Sequence, residues 1–469
     1  MTTSIKFGTD GWRAVIGKEY TFYNVARVSE AVALWLNQQK AGATVVMGYD
    51  CRFNGKFFAQ IAAQVLAKNG IKVLLAPDFA STPMVAFGTV QLKADLGIVI
   101  TASHNPPEYN GYKLKGNFGG PLPQPDIDAV QSMIPDALNY DPNQFNFEDV
   151  LNPGAVEYVD LEELYLNHVR ASFDLEAIAN SPFKFAFDAM FGSGQNVISA
   201  LLPEVDCLHC EYNPSFKGIP PEPLARNLQE FQSFVKINKI DCGLATDGDA
   251  DRIALIDSEG NFIDAHHIIL ILIHYLKHYK KLEGDVVTAV SSSVKIEQLC
   301  KHYGLELDVV KIGFKYTSEL MRIKDILVGG EESGGIAVKG HIPERDGIWI
   351  GLVIWEFMAK SGKTLRQIID EIYAIVGPFA FERRDLRLSE DQKNRIVAKC
   401  ESGDFKEFGD YKILSTNDLD GFKYSLSQSE WVMIRPSGTE PVLRIYAEAA
   451  NAEIAKNIIE NTLLTVLKV

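Results

Sequence analysis

The chain has 469 residues, 46% of them hydrophobic and 23% charged; that length exceeds a single core, sets an expectation of about three or four domains, and leaves no bias toward disorder. Its 61 acidic residues against 46 basic give a formal charge of −15, which excludes a broad nucleic-acid-binding surface. The opening Met1-Thr-Thr-Ser-Ile-Lys6 lacks signal-peptide architecture, and the apolar runs Ile268 to Ile273 and Ile348 to Trp355 fall short of the roughly 20 residues that cross a bilayer, so a cytoplasmic protein without a membrane partner is expected.

Residues 8–17, Gly-Thr-Asp-Gly-Trp-Arg-Ala-Val-Ile-Gly, are too glycine-rich for a regular element and are read as a loop carrying Arg13. Val25, Val28, Ala31, Val32, Trp35 and Leu36 then recur at helical spacing and predict a helix from about Asn24 to Gln39. A strand over Thr44 to Gly48 ends in the polar loop Tyr49-Asp-Cys-Arg-Phe-Asn-Gly55, followed by a helix to about Lys68 and a strand Lys72 to Leu75. The run Leu96-Gly-Ile-Val-Ile100 reads as a buried strand. It leads into Thr101-Ala-Ser-His-Asn-Pro-Pro-Glu-Tyr-Asn-Gly-Tyr-Lys113, where Asn105-Pro-Pro and Asn110-Gly111 predict a loop. Ligands of open α/β sheets bind outside the carboxyl ends of strands, which puts Ser103 where a nucleophile belongs, although Ser, Asn and Pro also populate plain turns.

The same rhythm recurs. Phe183 to Asp188 runs into Gly192-Ser-Gly-Gln, and Asp285 to Val290 runs into Ser291-Ser-Ser-Val-Lys295 and later the strand Leu307 to Val310. In each copy a later strand opens with an aspartate (Asp95, Asp241, Asp325) and ends in a polar loop, so three related α/β units are expected. The Pro-rich segment Pro121 to Pro142 leads out of the first, Asn152-Pro-Gly154 enters the second, Asp257 to Asn261 closes it as a hairpin, and Gly377-Pro378 is a hinge before a smaller α+β terminal unit. The six cysteines are scattered; Cys207-Leu-His-Cys210 has a metal or redox spacing but no second pair, and no such role is assigned to it.

Asp247-Gly-Asp-Ala-Asp251 carries the strongest chemical signal. Read as extended backbone, it points three carboxylates one way, and such crowding calls for a hard divalent ion, Mg²⁺ first. An EF-hand is excluded, because the sixth position is Arg252 and the twelfth Ser258. Arg252 can offset residual charge or reach a phosphate. Arg435-Pro-Ser-Gly-Thr-Glu-Pro441 offers a guanidinium fork, hydroxyls and a glycine, a phosphate cradle without Walker spacing. Gly330-Glu-Glu-Ser-Gly334 offers carboxylates and a hydroxyl suited to sugar hydroxyls.

These four loops, in this order and with Gly8-Thr-Asp-Gly-Trp-Arg13, resemble the α-D-phosphohexomutase family of phosphoglucomutases and phosphomannomutases over essentially the whole chain. The resemblance implies three related α/β domains with mixed sheets flanked by helices and a smaller C-terminal α+β domain around one cleft. Residues 1–150 would be the phosphoserine domain, 151–257 the metal-binding domain, 258–372 the sugar-recognition domain and 373–469 the phosphate-binding domain. Carried over by position, Ser103 matches the phosphoserine, with its phosphate completing a Mg²⁺ site made by Asp247, Asp249 and Asp251. Glu331 and Ser333 match the sugar loop, and Arg435, Ser437, Gly438 and Thr439 the phosphate loop; Lys295 and Lys315 are expected to face the sugar phosphate. Lys113 and Arg13 fall at candidate proton-transfer positions, and His104 joins them as a catalytic residue. Lys113 is then either a base, its pKa lowered beside Arg13, or a purely electrostatic phosphate contact. Gly335 departs from the histidine found in many relatives.

The expected reaction is interconversion of glucose 1-phosphate and glucose 6-phosphate through a glucose 1,6-bisphosphate intermediate. Phosphomannomutase or dual specificity is the runner-up, because no motif reads carbon two. The phosphate loop and sugar loop look less like those of phosphoglucosamine mutases. A serine-nucleophile metal-dependent phosphatase would need no second phosphate clamp, and a binding protein without catalysis would not need Ser103.

Overall fold

The computed structural model describes residues 5–144, 146–436 and 442–468. Three of its sheets repeat one topology. In the first, strand Thr44–Tyr49 lies between Lys72–Leu75 and Leu96–Ile100, parallel to both, and Tyr109–Gly116 adds antiparallel to the last. The second repeats this with Phe185–Asp188 between Asp206–Leu208 and Cys242–Thr246, then antiparallel Ile253–Asp257. The third does so with Asp285–Ala289, Leu307–Val310, Ile326–Gly330 and antiparallel Ile336–Val338. The repeated aspartates have a physical reason in two copies: Asp95 and Asp241 carboxylates accept the backbone N–H groups of Thr44 and Lys184, each at 2.8 Å, at the start of the neighbouring strand's run. The shared topology puts the loops after residues 100, 246 and 330 at equivalent strand ends, as expected for ligand sites in such sheets.

The fourth unit is a five-stranded antiparallel sheet, Ala380–Arg387, Val442–Ala449, Trp431–Pro436, Phe422–Ser425 and Ser415–Asn417. One face buries Val432, Ile434, Leu443 and Ile445 against Ile396, Cys400 and Ile458 of two helices. The other face sets Trp431, Met433 and Tyr446 on Val290, Val294 and Ile312 of the third unit. Among the described residues no helix is long and apolar enough to cross a membrane.

Two readings of local structure are corrected. Trp12–Val15 is a strand, not a loop, and registers with Tyr109–Gly116, so Arg13 sits opposite Gly111. Asn110-Gly111 lies inside that longer strand rather than in a turn. The glycine is there for close approach: a Cβ would meet the carbonyls of Thr101 and Trp12 at 2.4 and 2.7 Å. The boundaries also move. Val156–Tyr158 pairs with Lys72–Leu75, carrying the first sheet past residue 150, and Phe262–Ile263 pairs with Ile253–Asp257, carrying the second past 257. Residue 373 falls within the helix Leu365–Val376, so the last unit starts at the Gly377-Pro378 link, before Ala380.

Candidate active site

Ser103 is fully buried in the loop after Leu96–Ile100, with φ +53°, a left-handed conformation rare outside glycine. Its Oγ donates to Asp247 Oδ2 at 2.8 Å and lies 3.1 Å from His104 Nδ1. Its backbone N–H is fixed by Thr101 Oγ1 at 2.8 Å. Burial, then Arg252, Arg13 and Lys113, hold the His104 imidazole well below its usual range, so it is neutral.

The carboxylates of Asp247, Asp249 and Asp251 are completely buried, and one oxygen of each lies within 4.8 Å of the others. They converge through a turn rather than an extended run: Ala250 has φ +57°, and its N–H donates to the Asp247 carbonyl at 3.0 Å. Protein donors occupy one side of the cluster. Asp247 Oδ1 accepts the Arg252 N–H at 3.0 Å, and Asp249 Oδ2 accepts Thr82 Oγ1 at 2.5 Å and Lys113 Nζ at 2.7 Å. Asp251 Oδ2 accepts Lys113 Nζ at 3.0 Å. Asp249 Oδ1 and Asp251 Oδ1 are buried and have no hydrogen-bond partner. Burial and the neighbours Asp251 and Asp249 drive the Asp247 carboxyl well above its usual range. Two free buried oxygens beside a third carboxylate on the same loop fit a hard divalent cation.

Lys113 does not have the lowered pKa that a base requires. Burial pulls it down, but Asp10, Asp249 and Asp251 outweigh that and hold its ammonium well above the ordinary lysine value. Arg13 is nearby but spent elsewhere: its Nη1 donates to Asn105 Oδ1 at 2.9 Å, and its Nη2 faces Asp10 at 3.6 Å.

The remaining site residues divide. Glu331 is buried and accepts the Gly313 N–H at 2.6 Å; burial and Glu332 push its carboxyl up to about 7. Ser333 is half-buried on the same loop. Arg252 Nη1 faces Glu222 at 3.3 Å. Lys315 reaches from the third unit to Gln124 Oε1 of the first at 2.6 Å. Arg435 Nη2 donates to Asp420 at 3.1 Å, while Ser437, Gly438 and Thr439 lie outside the described residues. Lys295 is a correction: its ammonium is buried against the Val376 carbonyl at 2.7 Å, at the junction of the third and fourth units, instead of facing the cleft loops.

Sequence reading missed three groups. Asp10 stood inside the quoted Gly8 to Arg13 motif, and it gathers Lys113 at 2.8 Å and Arg345 at 2.7 Å. Arg52 stood in the polar loop after Tyr49, and Arg345 precedes the N-cap Asp346 of the helix Gly347–Ser361. Only a buried position could mark either arginine, and burial is not written in a loop's composition.

Profiles of the phosphoglucomutase/phosphomannomutase family match in chain order: alpha/beta/alpha domain I over residues 4–141, domain II over 163–260, domain III over 264–376 and the C-terminal domain over 390–464. The chain belongs to the α-D-phosphohexomutase family. It is 30% identical over 459 residues to a phosphoglucomutase/phosphomannomutase of Thermococcus kodakarensis, covering 97% of this chain and 96% of the relative. A phosphoglucosamine mutase of Caldicellulosiruptor saccharolyticus is 29% identical over 464 residues, covering 97% of each. A solved structure from Thermus thermophilus, provisionally named a phosphomannomutase, superposes with a TM-score of 0.87 at 30% identity, covering 99% of this chain and 100% of that one. As a phosphohexomutase the chain is an enzyme of the isomerase and phosphotransferase type, acting on hexose phosphates.

Proposed function

We propose that this phosphohexomutase interconverts glucose 1-phosphate and glucose 6-phosphate, with Ser103 giving and regaining the phosphoryl group through glucose 1,6-bisphosphate. The observation that carries this is the 2.8 Å contact of Ser103 Oγ with Asp247, beside two carboxylates whose Oδ1 atoms are free. Asp247, Asp249 and Asp251 would hold Mg²⁺, which when bound neutralises charge on the Ser103 phosphate.

The protein's own groups supply positioning. The φ of +53° turns Ser103 toward the carboxylate cluster, and His104, neutral, lies at hydrogen-bond distance from its Oγ. The charged Lys113 supports the electrostatic alternative for that residue: an ammonium facing transferred phosphate oxygens rather than a proton acceptor. Glu331 and Ser333 would read sugar hydroxyls, and Arg252, Lys315 and Arg435, with Ser437, Gly438 and Thr439, would hold the phosphate that is not reacting. The bisphosphate must turn end for end before its second phosphate returns to Ser103, and a mobile fourth unit able to grip either phosphate would keep it from water. Lys295 is left out of this set.

Likeness to a phosphoglucosamine mutase nearly matches likeness to the phosphoglucomutase/phosphomannomutase, so a glucosamine 6-phosphate mutase is the second reading. Coupled assays on glucose, mannose and glucosamine 1-phosphates separate the readings. Fastest turnover of glucose 1-phosphate is expected; faster glucosamine turnover rejects the assignment. Labelled phosphate appearing on Ser103 during turnover tests the mechanism.

A further inference from the structure

Asp251 Oδ2 is held from two sides. Lys113 of the first unit lies at 3.0 Å, and Arg345 of the third unit at 2.8 Å. The same Arg345 Nη2 lies 2.7 Å from Asp10 Oδ2, so one guanidinium ties a first-unit carboxylate to a second-unit one from a third-unit loop. Next to it, Glu344 accepts Lys115 Nζ at 2.6 Å, a second buried tie from the third unit to the first. Arg345 is 5% exposed, and its guanidinium packs over the Phe314 ring at 5.3 Å.

The path of this side chain depends on Gly335. A Cβ at that position would stand 2.4 Å from Arg345 Cδ, closer than non-bonded carbons approach, and 3.1 Å from Cγ. Any other residue there requires the arginine stem or the glycine backbone to shift, and a displaced stem draws its terminal nitrogens away from Asp10 and Asp251.

We propose that Arg345 is a resident counter-cation and positioning residue of the carboxylate cluster, seated in the space Gly335 leaves open. By binding Asp251 Oδ2 it leaves Oδ1 directed to an incoming ion, and its charge lets the loop fold into ion-ready form while no ion is bound. The cost is competition: a positive charge about 3 Å from a ligand carboxylate opposes a dication at the same cluster. The sign of the mutational effect therefore separates this role from bracing alone. Loss of a brace weakens ion binding, whereas loss of a counter-cation tightens it.

The inference rests on the metal reading of Asp247, Asp249 and Asp251. It is tested by titrating Mg²⁺ into the full-length protein by calorimetry, with Ser103 shown unphosphorylated by intact mass, and by the melting-temperature gain from chelator to Mg²⁺. Arg345→Gln is expected to tighten Mg²⁺ binding about tenfold or more and to enlarge the melting gain. Arg345→Lys, which keeps the charge, is expected to stay near the wild-type values. Gly335→Ala, with Arg345 present but displaced, is expected to copy Arg345→Gln, and the double variant to go no further than either. Unchanged or weaker Mg²⁺ binding in Arg345→Gln, or Arg345→Lys behaving like Arg345→Gln, overturns the proposal while the metal reading stands. A wild-type protein that binds no Mg²⁺ takes down both.

Discussion

Arg52 Nη2 donates to the Ser103 carbonyl at 2.6 Å, and this contact fixes the backbone of the residue proposed to carry the phosphate. The same guanidinium donates to the carbonyls of Asn105, Pro106 and Tyr109, and its Nε to Asp50, so one buried side chain ties down the whole loop. Asp50 in turn accepts the Thr101 hydroxyl at 2.5 Å. A left-handed serine persists only where its surroundings over-determine it, and these bonds do so.

Replacing Arg52 should therefore act on turnover before affinity. Arg52→Lys keeps the charge but cannot fork to four carbonyls, and a fall in kcat on the order of 100-fold with little change in KM is expected. Arg52→Met strands Asp50 as a buried charge and should destabilise by about 3–5 kcal/mol in denaturant titration. Equal kcat in wild type and Arg52→Lys would show that the loop needs no such brace.

Ser103→Ala should abolish mutase activity and remove any phosphoryl mass from the intact chain, with circular dichroism unchanged. The loop's remaining anchors, through Arg52 and Thr101, do not involve the hydroxyl. An unimpaired variant would falsify the phosphoserine assignment.

At the fourth unit, Asp420 holds Arg435 at 3.1 Å while accepting the Ile312 N–H of the third unit at 3.0 Å. Arg435→Lys loses the planar fork that grips phosphate, so KM for the hexose phosphate should rise about tenfold with a smaller change in kcat. Steady-state kinetics on both phosphate isomers decide this.

Glu448 is buried where the fourth unit's sheet meets the third unit, beside Ser293, Trp431 and Lys423. Burial pushes its carboxyl up to about 7, against the opposing pull of Ser293 and Lys423, while burial brings Lys423 down to about 8. A carboxyl raised in the folded state is neutral and costs nothing at low pH. Its penalty builds as pH climbs from the free value of about 4.5 and is complete above about 7. Glu448→Gln should thus gain stability relative to wild type as pH rises from 4.5 to 7, with no gain near pH 4.5 and the gain above pH 7 reduced by the Lys423 ammonium left without its partner. Melting curves across that range test it; a gain independent of pH would assign the effect to packing.

Much of this protein was legible from its residues alone. Hydrophobic period and turn chemistry are local properties, so Thr44 to Gly48, Lys72 to Leu75 and Leu96 to Ile100 could be read as strands, and Asp247 to Asp251 as a convergent acidic cluster. Tertiary structure decided what depends on partners distant in sequence. Gly111 looked like a turn because its close neighbours, the Trp12 and Thr101 carbonyls, come from elsewhere in the chain. Lys113 could be read from sequence as either a base or an electrostatic contact, and only the fold shows the three aspartates from two units that surround its ammonium. Lys295 looked like a phosphate ligand, yet burial at a domain junction gives it to a carbonyl. Charge and burial are fields summed over space, and a chain's order specifies them only once it has folded.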